Sequence, residues 1–165
     1  MHSRIFQVSS KPISQEDYLT EDDIPESFFN TTADYVDSLS DEERASSIED
    51  LESVLANSFT FQDGAVTSTE NMYEYFRKPF ESFRASLQRL SSISFEEFCG
   101  KVTYGNFSVE SGLWRLRQCY LSEYGFYIYV TEYGEHGELV TLDNWLRTVS
   151  PGETYYLGNV LDYHA

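Results

Sequence analysis

Cys99, Cys119, His2, His136 and His164 are the side chains in this sequence best suited to nucleophilic or metal chemistry. A thiol nucleophile needs a base within hydrogen-bond reach and a depressed pKa. Cys119 with His136 or His164 supplies the residue types, but no local signature surrounds them. The fitting expectation is a pair of intracellular thiols that act as small buried hydrophobes, neither catalytic nor bridged. A zinc site needs closely spaced ligand pairs. Cysteines twenty positions apart and histidines at 2, 136 and 164 do not provide them, so no metal or other cofactor is expected.

Carboxylates are abundant, at 28 Asp and Glu, and abundance weakens any single pair as a motif. Glu21, Asp22 and Asp23 are contiguous, whereas a calcium loop of the EF-hand type alternates its acids around a central glycine and ends in glutamate. Glycoside hydrolysis requires two carboxylates across a sugar, and with this many acids some pair always fits. Gly105, Gly112 and Gly125 stand alone and form no phosphate-binding loop. His136, between Glu135 and Glu138, reads as an exposed turn residue.

Charge is more informative. The net charge is -17 and is unevenly spread. Residues 1–75 hold 17 acids and 3 bases, residues 76–122 hold 4 acids and 7 bases, and residues 123–165 hold 7 acids and 1 base. The first segment offers Glu16, Asp17, Glu21, Asp22, Asp23, Asp41, Glu42, Glu49 and Asp50 as an acidic binding surface. Direct binding of nucleic acid is disfavoured by the field of the whole chain. The basic middle offers Arg77, Lys78, Arg84, Arg115 and Arg117 as an anion-binding set, with Arg89 and Lys101 nearby. Arg77 and Arg84 are seven apart and share a helical face, from which they are expected to neutralise the acidic segment. The acidic half also suits mimicry of nucleic acid. Seventeen charges match about 29 Å of duplex at about 1.7 Å per charge, provided that they share one face.

The elements that position these groups follow from periodicity and capping. Arg4–Ser9 alternates as a strand. Residues 11–30 carry acids and apolar anchors together, which predicts an irregular segment lying on the domain, with a helical turn near Ser14–Tyr18 and with Pro12 and Pro25 limiting anything longer. Ser40 with Glu43 is a capping box that opens a helix burying Ile48, Leu51 and Leu55, with Glu42, Glu49 and Asp50 in water. Phe59, Phe61, Asp63-Gly64 and Val66 predict a hairpin.

Met72, Phe76, Phe80, Phe83, Leu87 and Leu90 predict a core-facing stripe on a helix from about Thr69 to Leu90, kinked or divided at Pro79. Ser94 and Glu97 cap a short helix carrying Phe95 and Phe98. Lys101–Phe107 reads as strand or loop, and Leu113–Leu121 as a helix with Arg115 and Arg117. Phe126–Glu132 is a central strand, Leu139–Val140 pairs back, and Thr141 caps a helix burying Leu142, Trp145, Leu146 and Val149, stopped by Ser150-Pro151-Gly152. Thr154–Tyr163 is a last strand with a bulge or bend at Gly158-Asn159.

The expected architecture is α+β, a single domain over 1–165 with a largely antiparallel sheet packed with about four helices. With 13 Tyr and 12 Phe, its core is aromatic and many tyrosines are half-buried. The N-terminus lacks an apolar run of signal-peptide length and no segment approaches a membrane span, so a soluble cytoplasmic protein is expected. The function that fits is a non-catalytic acidic binding or adaptor protein for a basic protein partner, with nucleic-acid mimicry as its sharper form. The alternative is a small-ligand-binding or enzymatic domain with a tyrosine-lined pocket. Trp114, Trp145 and the surface tyrosines suit an interface as well as a core, which leaves the oligomeric state open.

Overall fold

The computed structural model describes residues 2–100, 108–120, 125–134 and 136–165. The chain forms two compact units, one of Met1–Tyr73 with Tyr124–Ala165, the other of Glu74–Glu123. The first contains β1 (His2–Ser9), 3-10 turns at Gln15–Asp17 and Glu21–Asp23, α1 (Glu26–Thr31), β2 (Tyr35–Ser38), α2 (Asp41–Val54), β3 (Phe59–Gln62) and β4 (Ala65–Ser68). The second contains α3 (Arg77–Ser91), α4 (Phe95–Phe98) and α5 (Val109–Gln118). The chain then returns to the first unit with β5 (Tyr127–Val130), β6 (Glu138–Thr141), α6 (Leu142–Leu146) and β7 (Thr154–His164). The fold is α+β, with a mixed, mostly antiparallel sheet and six α-helices among the described residues.

The sheet runs β3-β4-β7-β1-β5-β6, with β2 also paired to β7. Tyr156 pairs with both Ser9 and Ala65, and Leu161 with both Ile5 and Ser38. β2 and β4 therefore share one edge of β7 while β1 takes the other. Only β1 and β5 pair in parallel among the described residues. Strand alternation separates two faces. Ile5, Tyr129, Leu161 and Tyr163 lie on one, under a cover formed by Leu19, Ile24, Phe28 and Ala33. Phe6, Val8, Ile128, Val130 and Val160 are buried on the other. There the Trp145 ring of α6 stacks on Phe59, centroids 5.8 Å apart, and meets Tyr155 edge-on.

One bulge governs how the first face is covered. The β1–β7 register shifts between Phe6 and Val8, so Gly158 and Asn159 together oppose Gln7. The buried Gln7 side chain accepts hydrogen bonds from the Leu19 and Asn159 N–H groups, both at 2.9 Å, and donates to the Asp17 carbonyl. Asn159 Nδ2 completes the network by donating to the Leu19 carbonyl. A side chain at Gly158 would collide with Gln7 Oε1 and Ile13. The acidic segment is thus tied to the sheet by polar bonds as well as apolar anchors.

The hairpin, the α2 and α6 caps and the final bulge match the sequence expectations. In the hairpin, Asp63 and Gly64 both take positive φ, 51° and 77°. Other elements differ. Pro25 precedes α1 rather than preventing it, because its fixed φ of -65° suits the entry to a helix and its missing N–H has no role there. β2 is a strand that the polar sequence Asp34-Tyr35-Val36-Asp37-Ser38 hides, since only Val36 is buried.

The long stripe also resolves differently. A 3-10 turn at Met72–Phe76 precedes α3, so the division falls before Arg77. Pro79 lies in the first turn of α3, where backbone N–H groups have no partner within the helix, and breaks nothing. No α3 residue is fully buried, and Phe80 and Leu87 are about half exposed, at 55% and 48%. α5 starts at Val109 instead of Leu113, because Ser108 caps it by accepting from the Ser111 N–H. The expectation for Lys101–Phe107 lies outside the described residues.

Replacing Gln7 by leucine keeps the volume and removes the acceptor of the buried Leu19 N–H and the half-buried Asn159 N–H. Chemical denaturation of Gln7→Leu is expected to show a loss of about 2–4 kcal/mol. A loss below about 0.5 kcal/mol, the scale of an ordinary surface substitution, would contradict this role.

Candidate binding surfaces

All nine acids named from the sequence are exposed. Glu16, Asp17, Glu21, Asp22 and Asp23 belong to the cover over Ile5 and Tyr163. Asp41, Glu42, Glu49 and Asp50 belong to α2. Ser47 of α2 accepts a 2.9 Å hydrogen bond from Arg4 Nε, and alternation places Arg4 on the face opposite Ile5. The acids therefore occupy two layers on opposite faces of the sheet.

The layers are joined around the β7 edge. Glu21 accepts from the Ser38 N–H and Oγ, both at 2.9 Å. Arg44 of α2 donates to the Gly158 carbonyl, and its guanidinium lies 5.5 Å from the Tyr18 ring centroid. Within each layer, local caps fix the chain. Asp23 accepts from the Thr20 N–H and Oγ, and Asp17 from Ser14 Oγ. Ser40 and Glu43 form the expected reciprocal box on α2. Hydrogen bonds from Ser40 Oγ and N–H hold the Glu43 carboxyl below the usual carboxylate range. Among the described residues, none of the nine acids forms an ion pair. The unit that carries them has 22 acids and 4 bases.

Beside α2 lies a cleft of about 390 Å³, lined by Arg44, Ile48, Glu52, Phe61 and Leu157 with the turn at Asp63-Gly64. Its aromatic wall is Phe61. The tyrosines of the core gather elsewhere, where the half-buried Tyr127 and the buried Tyr163 meet Phe28 edge-on at 5.0 and 5.4 Å. Burial pushes the Tyr163 hydroxyl pKa up, and that hydroxyl donates to the Gly125 carbonyl.

The basic residues lie in the second unit, which has 6 acids and 7 bases. Arg77 and Arg84 are both on α3, Lys78 beside them, and Arg115 and Arg117 are on α5, which packs against α3. Neutralisation there is local. Arg77 grips Glu74 with two hydrogen bonds, raising its own pKa and lowering that of Glu74, while Arg84 lies 5.8 Å over the Phe80 ring.

The cysteines differ from expectation. Cys99 is exposed and Cys119 half-buried, both unbridged; Cys99 closes α4, whose own Phe95 and Phe98 are exposed. His136 is exposed, as expected. His2 and His164 face each other across β1 and β7, bonded to Asp162 and Asp34, and Tyr35 stacks on His164. The sequence holds this grouping only as distant residues. Among the described residues, no group of three or more His, Cys, Asp or Glu could hold a metal ion, and no helix is long and apolar enough to cross a membrane.

Comparisons with protein-family models, curated proteins and solved structures return no match.

The α2 cap has a signed pH dependence. Because the Glu43 pKa is lowered on folding, its contribution is complete above the unfolded value of about 4.3 and is lost as pH falls through the folded value. Ser40→Ala is expected to lower Tm by about 2–4 °C at neutral pH, measured by circular dichroism. The difference from wild type should narrow in acid.

Proposed function

We propose that the protein is a non-catalytic binding or adaptor module, cytoplasmic, that engages a basic protein partner through its acidic unit. The observation that carries this reading is the exposure of nine carboxylates that form no ion pair among the described residues, on segments held by hydrogen bonds from Ser14, Thr20 and Ser38. An ordered acidic surface attracts a cationic partner at long range and presents charge without first being ordered. The two-layer placement suits a partner that contacts both layers, and it does not supply the single charged face that nucleic-acid mimicry requires. Direct contact with nucleic acid remains disfavoured by the same charge.

A second reading draws on the cleft beside Arg44, which has the size of a small-ligand site. A ligand there would use the Phe61 wall and the carboxylate of Glu52.

The test is titration with a lysine-rich peptide as a model partner. Affinity should fall by about tenfold or more between about 10 mM and 150 mM salt. Neutralising Glu16 and Asp22 on one layer, or Asp41, Glu42, Glu49 and Asp50 on the other, should each weaken it at low salt. Among the described residues, these six acids make no side-chain hydrogen bond or ion pair. Binding indifferent to salt and to both sets would overturn the electrostatic reading. A small ligand whose binding is abolished by Phe61→Ser would favour the cleft.

A further inference from the structure

We propose that two copies of the chain associate through the helical unit Glu74–Glu123. Seven of the ten exposed large apolar side chains among the described residues lie in this unit. The core-facing stripe expected of α3 is only partly used. Phe83 and Leu90 are half-buried, while Phe80 and Leu87, seven residues apart, form a parallel line in water. On α5, Gly112 and Leu116 turn inward, whereas Leu113 and Trp114 are 56% and 61% exposed. Phe95 and Phe98 of α4 are more exposed still, at 72% and 68%. Exposed side chains of this size, concentrated in one unit, have the composition of an interaction surface.

Charge selects the occupant. The acidic unit carries a net -18 and this unit a net +1. Copies of so acidic a chain repel one another, and they repel least where the charge is nearly balanced. Both signs are displayed there: Lys78, Arg84, Arg115 and Arg117 with Glu81, Glu96 and Glu110, all exposed. A symmetric interface needs such a patch, able to pair with itself. An anionic membrane would attract the arginines but repel the -18 unit, and a cationic protein gains little from a surface with net charge +1.

Area supports the same occupant. At roughly 200 Å² per large side chain, Phe80, Leu87, Phe95, Phe98, Leu113 and Trp114 together expose about 700 Å². A standard interface covers about 800 Å² per partner.

Sedimentation equilibrium of the full chain tests this. The expected result is conversion from the 19.1 kDa monomer to a species of about twice that mass within the micromolar range. Association should strengthen as salt rises, because screening removes repulsion between acidic units and leaves apolar burial intact. This is the opposite sign to capture of a basic partner. Leu113→Ser/Trp114→Ser and, separately, Phe80→Ser/Leu87→Ser should each weaken the dimer about thirtyfold or more, with the circular dichroism spectrum unchanged. A monomer at every concentration and salt, a dimer indifferent to both double variants, or a monomer that instead sediments with phosphatidylserine vesicles would overturn the proposal.

Discussion

The side-chain amide of Gln7 is the constraint on which the acidic unit depends. It is buried in the sheet at a bulge where two residues of β7 oppose one of β1, and it meets backbone groups of both β7 and the cover. Without it, the buried N–H of Leu19 and the half-buried N–H of Asn159 would lose their acceptor, at a cost that apolar contacts alone do not recover. Gly158 is required beside it because there is no room for a side chain. The amide thus converts residues 11–24, which carry five of the nine candidate acids, from a solvated tail into a layer of the fold.

That ordering changes what the charge can do. A disordered acidic segment loses conformational freedom when it binds, whereas carboxylates on a fixed layer have already lost it. The fold divides its resources accordingly. Polar caps and buried tyrosines hold the acidic unit in shape, and the large exposed apolar side chains are concentrated on the helical unit, where charge is balanced. The two units therefore differ in physical character, one strongly acidic and the other nearly balanced in charge with exposed apolar side chains.

Local signals in the sequence were strong where one residue type admits one conformation. Asp63-Gly64, the Ser40–Glu43 and Ser94–Glu97 boxes, Thr141 and the Gly158-Asn159 bulge all predict the observed structure. The failures share a different cause. β2 has one buried side chain, so its pairing to β7 leaves no alternation to read. The stripe from Met72 to Leu90 has the spacing of a core helix, but spacing reports only that a face is apolar, not what covers it. The exposure of the acids was legible in composition. Their division between two layers was not, because it depends on Gln7, Arg4 and Arg44 meeting residues far away in the chain.

The most direct measurement of this account is amide hydrogen exchange at Leu19 and Asn159 in the intact protein. A cover anchored by Gln7 predicts that both amides exchange as slowly as those of β1 and β7, through global unfolding, while the exposed Glu16 and Asp22 beside them remain part of the same protected segment. Exchange at Leu19 close to the rate of an unstructured chain, with Ile5 and Leu161 still protected, would contradict it.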